Sequence, residues 1–262
     1  MEKRKLNRIT AGFIVLVVMV LILMFSNSLR RSSHITLPEE GSSPGQAEDT
    51  NASGGDALTV IAVTPETVQS VIETLSRPSN YARTVTILTA VGGDAYAADT
   101  ARVWVDGAPD TTWPRWTQTE RTRPTGQVEH SIIEETGEGE GTLYLWYNND
   151  REYRSYPADR WSADLSQRIP TYEDVLALER DSITDTGYEE KSGTPCIYVE
   201  VEDPELHYRQ RYWVSVSDGL LVAAETVKDG QVVLSASASG MESTEGTAFT
   251  LPDGTVLHRT SD

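Results

Sequence analysis

One cysteine, Cys196, serves all 262 residues, so no disulfide can form within the chain and packing must hold the fold. Histidine is scarce too: the four (His34, His130, His207 and His258) lie far apart in the sequence. Basic residues are few beyond the N-terminus. Six of the 22 Lys and Arg (Lys3, Arg4, Lys5, Arg8, Arg30, Arg31) precede Ser32, as does one of the 40 acidic residues, Glu2, which leaves 16 basic against 39 acidic. A body that acidic repels phosphate backbones and anionic head groups, which excludes nucleic acid as a main partner. Also absent are G-x-S-x-G, H-E-x-x-H and a phosphate loop. "EHSIIEETGEGE" gathers Glu129, Glu134, Glu135, Glu138 and Glu140 near His130. Paired carboxylates can do acid–base work or bind calcium, but EF-hand spacing is missing, and a solvated hairpin tip accounts for the cluster. The expectation is a non-enzyme with no metal and no cofactor. Cys196, in "TPCIYVEVED", reads as a strand residue rather than a reactive thiol.

One long apolar run is present. After "MEKRKLNR", Ile9 to Phe25 carries no charge and is about the minimum length for a helix crossing the hydrocarbon. The run ends in "LMFSNSLRR", a poor cleavage site, so an uncleaved signal anchor over 9–27 is expected. No cysteine lies near the end of the run to carry a lipid. Four basic residues precede the span and two follow, which keeps the tail 1–8 in the cytoplasm and the rest of the chain outside. Residues 28–57 are rich in Ser, Gly, Pro and acids and read as a flexible tether. "NAS" at Asn51 fits a glycosylation acceptor, a pattern frequent by chance.

The folded part is expected over 58–262. "TPETVQSVIETLSRPSNY" opens it: Thr64 suits a helix cap, Pro65 and Glu66 its first turn, and Val68, Val71, Ile72 and Leu75 make one apolar stripe. Strands follow at 81–90, 100–107, 112–121 and 127–135, then a hairpin over 141–157. "IPTYEDVLALERDSI" (169–183) reads as a helix capped by Thr171. Strands return at 194–203, 206–217, 219–227 and 231–240, with "SDG" and "KDG" as turn signals, and "TAFTLPDGTVLHR" supplies a last short strand or two. The predicted class is α+β: one curved antiparallel sheet of about ten strands with helices on its concave face, preceded by a single transmembrane helix.

The helix after the tether, the long meander, the mid-chain helix, the hairpins of "YWVSVSDGLLVAAETVKDGQVVL" and the closing "FTLPDG" resemble the LolA/RseB-like superfamily of extracytoplasmic carriers, over about Leu58 to His258. The resemblance implies a half-barrel whose hollow face is covered by helices. It further implies binding of a lipid or a lipoprotein acyl chain, or service as a partner of another envelope protein. Some clostridial sporulation and germination proteins of this fold bind a cell-wall amidase. The anchor and the acidity are departures from the group, and a fixed anchor does not suit free shuttling between membranes.

Alternation separates two faces of the sheet. Val103, Val105, Leu143, Leu145, Ile197, Val199, Val214 and Val216 fall on an aliphatic side, expected to be concave and to be either filled by the helices or left as a groove for an apolar ligand. Trp104, Tyr144, Trp146, Tyr198 and Trp213 fall on the other, as binding anchors or as cross-strand pairs. Pro114 between Trp113 and Trp116 suggests an edge or bulge, so Trp113, Trp116 and Trp146 are the candidate partner-binding residues. Two functions stay open: a membrane-anchored domain holding an apolar ligand, and an envelope protein-interaction module, such as one governing a cell-wall hydrolase.

Overall fold

The computed structural model describes residues 62–107, 114–137, 140–158, 169–203 and 207–260, all within a compact unit, Ile61–Asp262. The expected tail, membrane span and tether, with Asn51, and also Trp113, lie outside the described residues. Among the described residues no helix is long and apolar enough to cross a membrane.

Two antiparallel meanders make one sheet. The first runs through β1 (Asn80–Gly92), β2 (Ala95–Asp106), β3 (Arg115–Thr122), β4 (Val128–Gly137), β5 (Glu140–Tyr147) and β6 (Arg154–Pro157). The second runs through β7 (Ile183–Lys191), β8 (Thr194–Asp203), β9 (Tyr208–Ser215), β10 (Leu221–Lys228) and β11 (Gln231–Glu242). They join where β1 pairs antiparallel with β11, giving the order β6-β5-β4-β3-β2-β1-β11-β10-β9-β8-β7. The expectation of one open antiparallel sheet is met, with eleven strands. Register shifts in β1 at Ala82/Thr84 and in β10 at Leu221/Ala223 are the kind of irregularity that bends a sheet. A two-stranded ribbon, β12 (Ala248–Thr250) and β13 (Val256–Arg259), closes the chain.

Local chemistry sets the turns. Asp229 (φ 50) and Gly230 (φ 79) link the paired residues Lys228 and Gln231. Positive φ at both central positions is the primed turn whose twist suits a hairpin.

The helices are shorter than the sequence suggested. α1 (Val68–Glu73) follows a turn begun by the Thr64 carbonyl, which accepts from the Val68 N–H at 2.9 Å. Its stripe is as predicted, with Val68 and Ile72 buried and Val71 and Leu75 packed on the same cluster. The stretch 169–183 contains only α2 (Tyr172–Leu176) and a 3-10 turn, Arg180–Ser182. α2 opens with the Thr171 N–H donating to the Asp174 carboxylate at 2.7 Å. Gln69 then reaches from α1 to donate to the carbonyls of Val175, Leu176 and Leu178, which binds the two helices together.

Both helices lie on one face, over β7–β10. There Ile197, Val199, Tyr212, Val214 and Leu221 pack against Val68, Ile72, Tyr172 and Val175. Each fully buried aliphatic side chain contributes about 1.5–3 kcal/mol. A second cluster on the same face joins Val85, Ala101, Val103 and Val105 to Ile169. Among the described residues the core clusters all come from within this unit, which gives it a hydrophobic core of its own.

Candidate functional site

Strand register builds the hollow face row by row. Tyr81, Val105, Thr117, Ile133 and Leu143 stand in one row across β1–β5; Arg83, Val103, Thr119, Ser131 and Leu145 stand in the next. The short segment Ile169–Thr171, leading into α2, crosses above these rows. Between the segment and the sheet lies a cavity of about 90 Å³, floored by Val103, Val105, Thr117 and Ile133 and roofed by Ile169 and Tyr172. On the other side of the same segment a more open hollow of about 250 Å³ runs over Gln210, Tyr212, Ala224, Thr226 and Leu234.

Three arginines stand in the wall of the smaller cavity. Arg115 on β3 donates from Nε to Glu135 at 2.5 Å and from Nη1 to Glu173 at 2.6 Å. Burial works against its charge, but the two carboxylates outweigh burial and hold its proton more tightly than usual. This triad ties β3 and β4 to α2. Arg77 donates to the carbonyls of Ile72, Leu75 and Gly219. Arg83, 7% exposed, donates from Nη1 to the Leu221 carbonyl at 2.9 Å. Burial holds the Tyr81 phenol above its ordinary pKa, so it stays a neutral wall residue at physiological pH.

The sequence-derived candidates divide by place. Val103 and Val105 line the cavity. Ile197, Val199 and Val214 are buried beneath the helices, with Val216 packed beside them. Leu143 packs with Ile133 and Ala158, and Leu145 is half-buried. All eight lie on the expected face, yet that face is less aliphatic than expected over β3 and β4. There Thr119, Arg121 and Ser131 are buried, and Asp99 accepts from both Arg121 and Arg123. The acidic cluster is a solvated tip only in part: Glu140 is exposed, and Glu138 lies outside the described residues. Glu129 pairs with Arg123 and Glu135 with Arg115 on the hollow face, while His130 on the opposite face stacks on Trp146 at 5.2 Å. Among the described residues no group of three His, Cys, Asp or Glu is placed to hold a metal ion.

The aromatic face, expected to be half-exposed, carries a cover of its own. Phe249, fully buried, and Leu251 from the terminal ribbon pack on Trp116, Ile132 and Trp146. His258 stacks on Trp116 with centroids 5.1 Å apart and bonds Asp106 at 2.5 Å. Trp116 and Trp146 are therefore 5% and 9% exposed. Over β7–β10 the tiling is polar: Trp213 donates to Glu189 at 2.8 Å beneath the Lys191 ammonium, and Tyr198 donates to Glu200 at 2.7 Å.

Sequence reading missed Arg77, Arg83, Arg115, Ile169 and Tyr172 as site residues. One signal was present: in "YARTVTIL", Arg83 shares strand parity with Val85 and Ile87, a charge on an apolar face.

No protein-family model matches the chain, and no curated protein matches it. Among solved structures, it is similar to a DUF1329 family protein from Desulfovibrio piger ATCC 29098 (13% identity, 70% of this chain and 92% of that one, TM-score 0.35). It is similar to MucB (11%, 66% and 56%, TM-score 0.33), so it spans just over half of MucB. A LolA superfamily protein from Nitrosomonas europaea is a third (14%, 69% and 94%, TM-score 0.29). These likenesses are faint in identity and in TM-score.

Proposed function

We propose that the unit 61–262 is a non-enzymatic binding domain that holds an apolar ligand, a lipid or an acyl chain, against its hollow face. The observation that carries this reading is the cavity beneath Ile169–Tyr172, where Val103, Val105 and Ile133 form an apolar floor that the short helices do not fill. Volumes of about 90 and 250 Å³ on either side of one crossing segment are below the ~300 Å³ of a drug-sized pocket. They suit one end or one slim chain of a ligand. The expected signal anchor 9–27 is proposed to hold the domain to the membrane, with the unit outside it; a reporter fused after Asp262 and active only in the cytoplasm would refute that.

The test is to fill the cavity. Val103→Phe and Val105→Phe should keep the circular dichroism of the unit and abolish binding of a fluorescent fatty-acid probe. Filled variants that bind the probe as well as the parent would overturn the reading.

A second reading, an envelope protein-interaction module, is favoured by β6, the outermost strand of the sheet among the described residues. β6 is exposed along its whole length and carries Tyr156, beside exposed Tyr153. An open strand edge is a template for another chain.

A further inference from the structure

Among the described residues two arginines are buried, Arg121 and Arg83. Arg121 has Asp99; of the half-buried ones, Arg115 has Glu135 and Glu173, Arg211 has Glu200, and Arg77 has three carbonyls and the Tyr172 ring. Arg83 has one carbonyl. It is 7% exposed and stands in the cavity wall, yet no carboxylate among the described residues lies within 4.0 Å of it. Its Nη1 is used by the Leu221 carbonyl, and its Nε is buried with no partner. Nη2 donates to no described residue. The side edge formed by Nε and Nη2 is thus unused, and that edge matches a carboxylate or phosphate through two parallel bonds. The Tyr81 ring, 5.8 Å from the guanidinium carbon, stands at the outer limit of cation–π reach and supplies no opposite charge. A guanidinium cannot shed its charge, and leaving one buried without an opposite charge is costly. Water in the cavity would satisfy a donor but not the charge. Acids are plentiful in this sequence, 40 against 22 basic residues, so a missing partner is not for want of carboxylates.

We propose that Arg83 receives an oxyanion, a carboxylate or phosphate borne on an apolar stem, with the stem lying over Val103, Val105 and Ile133. The inference rests on the hollow-face reading above and names the polar end of its ligand.

The test compares dodecanoate, dodecyl phosphate and dodecanol on the unit 61–262 by calorimetric titration. Both anions should bind about 10- to 100-fold more tightly than the alcohol. Arg83→Met should bring the anions down to the alcohol and leave the alcohol unchanged; Arg83→Lys, which keeps charge but loses the fork, should fall between. Should Arg83→Met fail to fold, the parent's anion-to-alcohol ratio and Arg83→Lys decide. Equal binding of anion and alcohol by the parent overturns the role of Arg83 while the apolar pocket stands. Binding of none of the three overturns the pocket itself. Competition by acetate or inorganic phosphate as strong as by the chain-bearing anions puts a free ion at Arg83 and overturns the stem.

Discussion

The guanidinium carbon of Arg77 lies 3.8 Å from the centroid of the Tyr172 ring. The same side chain donates to Ile72 at the end of α1 and to Gly219 in the turn between β9 and β10. One residue thus closes α1, seats it on α2 and fastens both to the sheet. Orphan carbonyls at a helix end need such donors, and a cation there also favours the dipole. Arg77→Ala should lower stability by about 2–4 kcal/mol, from the lost charged hydrogen bonds and the ring contact. Arg77→Lys should recover only part, since an ammonium cannot span the carbonyls and lie on the ring together. Urea unfolding of the unit measures both, and a loss below about 0.5 kcal/mol for Arg77→Ala would refute the role.

The terminal ribbon should be worth as much. Phe249 is fully buried, with its ring centroid 6.3 Å from that of Trp116. Phe249→Ala should cost about 3–5 kcal/mol. Because the ribbon shields Trp116 and Trp146, and Trp104 packs on the same cluster, tryptophan emission should shift to the red before the sheet unfolds. A single transition with unshifted native emission would show that the ribbon covers nothing of consequence.

The residues that were legible in the sequence are those that obey one period. The stripe of α1 and the Val103/Val105 and Ile197/Val199 alternations do so, and the Asp229–Gly230 turn was legible from its positive-φ residues. β7 was missed because an edge strand with one neighbour carries Asp185, Glu189, Glu190 and Lys191, charges that read as loop and guard an edge against pairing. The helix 169–183 was overdrawn because propensity persists past the point where packing stops, and α2 ends once Val175 is buried. The ribbon's cover over the tryptophans was invisible because strands of three and four residues show no periodicity. The arginine-lined cavity was missed for a plainer reason: a charge in a strand ordinarily faces water, and only register shows Arg83 beside Val103.

Alkali should destabilise the fold through groups that are buried neutral. Burial pushes the Cys196 thiol up to about 11 from an ordinary 9.0. Burial, with Asp174 nearby, pushes the Tyr212 phenol up to about 12 from 10.0. In both cases the folded state holds its proton after the unfolded chain has released it. Their contribution is therefore complete below pH ~9 and is lost as pH rises, first between about 9 and 11 and then towards 12. The urea midpoint should be flat from pH 7 to 8.5 and fall by pH 10.5, and Cys196→Ala should flatten the first part of the fall. The native thiol should also resist alkylation at pH 8. An unchanged slope in Cys196→Ala would remove the thiol from the explanation.

Two glycines separate close approach from mere flexibility. Gly141 on β5 faces Glu135 across the ladder, and a methyl group added there would overlap the Glu134 carbonyl oxygen and crowd the Glu135 Cα. Those are backbone atoms, so relief requires β4 and β5 to part. Glu135 is a partner of Arg115, so the parting also pulls on the triad that holds α2 over the cavity. Gly141→Ala should therefore cost about 2 kcal/mol or more and speed hydrogen exchange across β4, β5 and α2 together. Gly187 on the edge strand β7 has no atom within 4 Å of an added Cβ and needs no positive φ. Gly187→Ala should leave stability unchanged or raise it by up to about 1 kcal/mol, by restricting the unfolded chain. Equal behaviour of the two variants would show that the strand approach at Gly141 is not tight. Faster exchange confined to β4 and β5 would show that the Arg115 triad does not couple the sheet to α2.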